Sequence, residues 1–148
     1  MPEAMTVRDV LRGKPAQVIT VAADVPVLEA VRRLREHQIG ALPVVDDRAR
    51  MIGLFTERDV VWRLADRGAA LLKAPVRHCM TTPVHFCKPD DSIRDVMWQM
   101  TYRRIRHLPV VEEGRLVGMI SIGDVVKSRL EELEEEARVL RDIVVAGR

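Results

Sequence analysis

The chain contains itself twice. Residues 39–47, IGALPVVDD, and residues 105–113, IRHLPVVEE, lie 66 positions apart and share Ile, Leu, Pro, Val and Val in register. A second pair, GLFTERD at 53–59 and GMISIGD at 118–124, repeats a glycine, a hydroxyl and an aspartate at a separation of 65. The one-residue difference falls in the polar stretches DDRAR and EEGR between the two motifs, where chain length costs little. A unit of about 60 residues leaves one sheet face uncovered, so two copies are expected to pack together.

The elements within each copy follow from periodicity. Short strands are expected at VITV (18–21) and VHFC (84–87). Next come helices whose apolar positions, Val27, Val31 and Leu34 over Ile93, Met97 and Met100, are spaced by four and three. Asp24 and Asp90 precede them as helix-starting acids. LPVV then turns back through MIGLF or LVGMI in a hairpin, and a second helix begins at TERDVVWRL or SIGDVVKSRL. A lead-in also recurs, TVRDVL at 6–11 echoing PVRHCM at 75–80. The fold class is α/β, strand–helix–strand–strand–helix used twice. Chain order assigns 5–74 to the first motif with its lead-in helix, 75–130 to the second, and 131–148 to a helical tail.

Composition narrows the function classes. Aromatics are only 3% of 148 residues, so the core must be aliphatic, and packing is the expected role of Trp62 and Trp98 on their helices. A net charge of +2 from 24 basic and 22 acidic side chains gives no general case for nucleic acid. No apolar run approaches the ~18 residues that a membrane span needs, and MPEAMTVRDV lacks a signal-peptide core. A cytoplasmic protein is expected, with no membrane partner. Cys79 and Cys87 lie among His78 and His85, yet the repeat aligns His85 with Ile19 and Cys87 with Val21. Both are plain strand positions, so structural cysteines are expected and no metal. No Ser–His–Asp or Cys–His arrangement and no phosphate-cradling glycine loop can be assembled, so an enzyme is not expected.

The repeated LPVV, hairpin and G-h-x-[ST]-x-x-D pattern resembles a tandem pair of cystathionine-β-synthase (CBS) domains, over residues ~5 to ~130. The resemblance implies a stand-alone module of two β-α-β-β-α motifs with pseudo-two-fold symmetry, plus a C-terminal helix. It also implies an adenine-nucleotide ligand such as AMP, ADP, ATP or NAD in the cleft between the copies, and no resident cofactor.

Thr56 with Asp59 and Ser121 with Asp124 admit two readings. A hydroxyl followed three residues later by an acid resembles a capping box, which alone would stabilise by about 1 kcal/mol. Alternatively, Gly53 and Gly118 let a ligand approach the backbone, the helix N-terminus offers N–H groups to phosphate, and the aspartate accepts from both ribose hydroxyls. In proteins this chain resembles, the aspartate grips ribose, and the adenine slots between the first strand and the LPVV strand. Carried over, the first site would use Thr56, Arg58 and Asp59, with Thr20, Val21, Ala41 and Pro43 around the base. The second would use Ser121 and Asp124, with Phe86, Cys87, His107 and Pro109. Arg106 and His107 stand where the first copy has Gly40 and Ala41. In nucleotide-sensing members of the family, basic residues at these places contact phosphate.

Beyond Asp124, apolar residues fall at Val126, Leu130, Leu133, Ala137, Leu140 and Val144, a heptad seam. Such a helix can pair with another copy or lie back on its own module. The expectation is therefore an adenine-nucleotide sensor, a homodimer signalling to an unknown effector protein. The alternative is a structural dimerisation and partner-binding module whose pockets are vestigial.

Overall fold

The structure, a computed structural model, describes residues 4–147. Its elements run α1 (Val7–Arg12), β1 (Val21–Ala22), α2 (Val27–His37), β2 (Ala41–Val45), β3 (Met51–Thr56) and α3 (Glu57–Arg67). Two 3-10 turns follow, Gly68–Lys73 and Val76–His78, then α4 (Ile93–Arg103), β4 (His107–Glu112), β5 (Arg115–Ser121) and α5 (Ile122–Ala146). The α/β class and the repetition read from the sequence are both present. Contacts divide the chain into two units. One spans Gln17–His85, and the other joins the N-terminal segment through Ala16 to the chain from Phe86 onward.

Packing therefore departs from chain order at the lead-ins. Val7 of α1 is buried with Ile93, Leu108 and Ile120 of the second repeat. Val76 and Cys79 are buried with Val27, Leu42 and Phe55 of the first. Each lead-in packs on the repeat that chain order would not give it, so the division at 74/75 read from the sequence is not where packing separates. The cause is visible at the two motif glycines. A Cβ on Gly118 would stand 2.6 Å from Leu11 Cδ2, and one on Gly53 would collide with Met80 Sδ. Leu11 and Met80 are equivalent positions of the two lead-ins. The glycines thus make room for a lead-in side chain, not for a ligand, and they lie within β3 and β5.

Ion pairs fix the same docking. Arg8 reaches Glu112 at 2.7 Å and Asp90 at 3.3 Å, and Arg77 pairs with Asp24. The two aspartates expected to start helices instead hold the lead-in arginines. α2 starts at Pro26 with no side-chain cap, while the Ser92 hydroxyl caps α4 by accepting from the Asp95 N–H at 3.0 Å.

The first strand of each repeat is shorter than its hydrophobic pattern predicts. β1 pairs parallel to β2 through only Val21↔Val44 and Ala22↔Val45, and in the second repeat only Cys87 bridges, to Val110. The carbonyls just before are taken by helix side chains: Arg33 Nη1 donates to Thr20 O at 2.7 Å, and Gln99 Nε2 to Phe86 O at 3.4 Å. A carbonyl satisfied this way has no call for a ladder partner. The hairpins β2–β3 and β4–β5 are antiparallel, each with a bulge after its first LPVV valine, at Val44/Val45 and Val110/Val111. The first turn is held by the Asp46 carboxylate, which accepts from the Arg48 and Arg50 N–H groups, both at 2.9 Å. The second places Glu113 and Gly114 at positive φ.

α5 runs unbroken for 25 residues, from the second hairpin into the tail. Its inner side buries Val125 and Ser128, and Glu132 accepts from the Met5 N–H at 2.9 Å. The heptad seam lies on a different side and is open: Leu130 is 56% and Leu140 60% exposed. The helix does not fold its apolar seam back onto its own unit. The tryptophans also depart from expectation. Trp62 is 69% exposed because α3 turns Val60 and Leu64 toward the core instead. Trp98 is 48% exposed and stacks on Tyr102 with ring centroids 5.5 Å apart.

The lead-in docking makes a stability prediction. Gly118→Val should destabilise the protein by about 1–3 kcal/mol through overpacking. Adding Leu11→Ala should recover part of that loss, because the two positions share one space. Denaturant unfolding of the two single variants and the double variant measures the coupling. Strict additivity would mean that Leu11 does not fill the space over Gly118.

Candidate ligand sites at the two helix starts

Each site is built where a hairpin strand runs directly into a helix. Thr56 ends β3 and Ser121 ends β5, both extended, and each is the N-cap of the helix that follows. In the first repeat, Asp59 Oδ2 accepts from the Thr56 N–H at 2.9 Å and its hydroxyl at 3.0 Å, while Thr56 Oγ1 accepts from the Asp59 N–H at 3.2 Å. In the second, Asp124 Oδ2 accepts from the Ser121 N–H at 2.8 Å and its hydroxyl at 3.0 Å, and Ser121 Oγ accepts from the Asp124 N–H at 3.2 Å. Both are complete capping boxes.

A third capping box qualifies the motif. Thr6 and Asp9, at the start of α1, make the same reciprocal bonds. Hydroxyl-x-x-aspartate is therefore a helix-start device in this chain wherever it occurs. All three aspartates receive a further donor, and the hairpin sites differ in its source: Arg12 of the same helix reaches Asp9 Oδ1 at 3.1 Å, whereas Asp59 and Asp124 are reached from a separate segment. Thr81 Oγ1 donates to Asp59 Oδ1 at 2.7 Å. Lys14 Nζ lies 2.6 Å from Asp124 Oδ2 and also donates to Met119 O at 2.9 Å.

Sequence reasoning missed both donors, because they lie 22 and 110 residues from their partners. The lead-in repeat, continued past TVRDVL and PVRHCM, sets Arg12 against Thr81 and Lys14 against Pro83, so it carried no signal for either donor. The consequence for the two carboxylates differs. Asp59 has both oxygens engaged. Asp124 has all its bonds on Oδ2, and among the described residues nothing donates to its Oδ1. Burial would raise the Asp124 carboxyl, but the Lys14 ammonium and the Ser121 donors outweigh it and hold the group below the ordinary aspartate range.

The sheets bring the remaining predicted residues close to these starts. Ala41 pairs with Thr56 and His107 with Ser121. The Glu57 N–H donates to Gly40 O at 3.1 Å, and the Ile122 N–H to Arg106 O at 2.8 Å. Arg106 is thus fixed beside the start of α5 with its side chain exposed, and His107 is half-buried there. Arg58 is exposed on the first turn of α3. On the base side, Val21 lies on β1 next to β2, which carries Pro43, and the Cys87 N–H donates to Pro109 O at 3.0 Å.

Burial then sorts these residues. Val21, Ala41, Pro43, Cys87 and Pro109 are buried, Thr20 is half-buried, and Phe86 is exposed. Cys87 points its thiol at the Pro109 carbonyl, 3.8 Å away. Burial pushes that thiol up to about 12 and Cys79 up to about 11, so both behave as core residues. Among the described residues, no group of three or more His, Cys, Asp or Glu side chains is placed to hold a metal.

Comparisons agree with this architecture. The CBS domain family model matches residues 7–66 and again 76–131. A CBS-domain containing protein, ATU1752 from Agrobacterium tumefaciens, superposes with a TM-score of 0.83 at 45% identity, over 87% of this chain and 96% of that one. The mitochondrial CBS domain-containing protein CBSX3 of Arabidopsis thaliana is 31% identical over 98% of this chain and 74% of its own length. The CBS domain pair of protein MJ0100, solved in complex with 5′-methylthioadenosine and S-adenosyl-L-methionine, superposes with a TM-score of 0.76 at 26% identity, over 89% of this chain and 99% of that one. Two matched repeats, each with its hairpin running into a capped helix, make this chain a pair of CBS domains.

Proposed function

We propose that the chain is a regulatory module that binds an adenine nucleotide (AMP, ADP, ATP or NAD) at the helix starts and passes occupancy to a partner as a change of conformation or association. The observation that carries this reading is Asp124 Oδ1. It is an acceptor without a donor among the described residues, on a carboxylate kept ionised, at a helix N-terminus flanked by Arg106 and His107. Ribose hydroxyls fit that acceptor, and the helix start with Arg106 suits a phosphate. That MJ0100 carries two adenosine-containing ligands supports the same ligand chemistry here. CBS-domain proteins are regulatory modules in general, and we read this chain as non-catalytic.

The rival reading, a structural module with vestigial pockets, also has an observation in its favour. Thr6 and Asp9 show that the motif also caps a helix that follows no hairpin, and Asp59 has both oxygens already bonded. Ligand-induced stabilisation separates the two. At 100 times its dissociation constant, a nucleotide adds about 2.7 kcal/mol to the stability of the folded protein. AMP, ATP or NAD should therefore raise the melting temperature, and Asp124→Ala should remove most of that rise while costing about 0.5–2 kcal/mol as a lost cap partner. If millimolar AMP, ADP, ATP and NAD all leave melting unchanged, the vestigial reading stands.

We further propose that the chain forms a homodimer through α5. The open side of this helix carries Val126, Leu130, Leu133, Leu140 and Val144, each between 44% and 60% exposed, in heptad spacing. An exposed apolar seam of this length is costly in water and suits the same seam of a second copy. Truncation after Glu134 leaves Glu132 on the Met5 N–H, so the unit should stay folded. Sedimentation of the truncated chain should show weaker self-association than the full chain. An unchanged dimer would place the interface elsewhere.

A further inference from the structure

Lys14 distinguishes the two repeats. Its ammonium has three protons; one goes to Asp124 Oδ2 at 2.6 Å, one to Met119 O at 2.9 Å, and the third is left for another acceptor. At the corresponding point of the first repeat the aspartate meets a neutral hydroxyl, Thr81 Oγ1. The charge at the two helix starts differs accordingly. Around α3 stand Glu57, Arg58 and Asp59, which together leave one negative charge. Around α5 stand Lys14, Arg106 and Asp124, with Ile122 and Gly123 neutral, which together leave one positive charge.

We propose that Lys14 makes the Asp124 site selective for adenosine ligands with an anionic 5′ group and against those with a cationic one, while the Asp59 site lacks this discrimination. This rests on the adenine-nucleotide reading above and deepens it by naming the ligand charge and the residue that sets it. The side chain is about one-third exposed and its partner one-quarter, so the pair sits where a bound ligand would face it under weak solvent screening. Lys14 need not leave Asp124 for ribose to bind, since Oδ1 remains open to a hydroxyl. A 5′-phosphate then meets the helix N-terminus, Arg106 and the remaining Lys14 proton. A 5′-sulfonium meets the same positive charge and is repelled. In the first repeat, Gly40 and Ala41 replace Arg106 and His107, so neither helix start nor lead-in adds net positive charge there.

The test uses the full chain carrying Asp59→Asn, which weakens the first site while an amide can still accept in the cap. Calorimetry with AMP, 5′-methylthioadenosine and S-adenosylmethionine gives the anionic, neutral and cationic members of one adenosine series. The expected order of affinity is AMP, then 5′-methylthioadenosine, then S-adenosylmethionine. Lys14→Met, which keeps the aliphatic stem and removes the charge, should weaken AMP by about tenfold or more. It should leave 5′-methylthioadenosine within about twofold and narrow the gap to S-adenosylmethionine. Lys14→Arg keeps the charge and should keep the parent order, which guards against a Met variant that folds poorly.

Equal weakening of AMP and 5′-methylthioadenosine by Lys14→Met would show that Lys14 only positions Asp124, and would overturn the proposal while leaving the adenosine site standing. Unchanged affinity ratios among the three ligands in Lys14→Met would overturn it in the same way. Failure of the parent to bind any of the three would overturn the site reading itself, and this inference with it.

Discussion

One aspartate at the third position of a helix joins three parts of each repeat. Asp59 and Asp124 each accept from the residue that ends the hairpin strand, shield the first turn of the helix, and accept a donor from a lead-in segment. Strand end, helix start and lead-in are thereby held at one point. The carboxylate is worth more there than an exposed cap, since it accepts several hydrogen bonds at once and, at Asp124, a cation. The lead-in reaches that point because Leu11 and Met80 settle over Gly118 and Gly53, and because Arg8 and Arg77 find Asp90 and Asp24. The helix-start carboxylates and the lead-in docking are parts of one construction.

This construction leaves a structural motif with acceptor capacity beyond what the cap uses. At α1 the capping-box aspartate takes its further donor from its own helix, as Arg12 gives one to Asp9. Once a lead-in supplies that donor, the aspartate becomes a charged, oriented group whose remaining capacity is set by which oxygen the donor takes. Thr81 takes Oδ1 of Asp59, and Lys14 shares Oδ2 of Asp124, leaving Oδ1 open. Two repeats with nearly the same backbone thus present different acceptors and different local charge.

Much of this was legible in the sequence. The repeated LPVV and the hydroxyl–aspartate motif predicted the hairpins, the capped helices and the family, because register and capping are local and periodic. Ala41 beside Thr56, and His107 beside Ser121, follow from that register. Four features were not legible. The glycines looked like openings for a ligand, yet long-range packing fills them with Leu11 and Met80. Asp24 and Asp90 looked like caps, yet they hold arginines 53 and 82 residues away. Strands at 18–21 and 84–87 looked four residues long, yet Arg33 and Gln99 take the carbonyls that would have continued them. Lys14 carried no signal at all, since its partner is set by how the lead-in docks. Each miss is a tertiary contact overriding a correct local pattern.

The central claim is that adenosine binds at the helix starts through the motif aspartates. The most direct measurement is amide chemical-shift mapping of the isotope-labelled protein on titration with AMP. The account predicts that the largest changes fall on Ser121–Asp124 and on Arg106 and His107, with Thr56–Asp59 changing if the first site also fills. Saturable shifts confined to other segments, or no shifts at millimolar AMP, would contradict it.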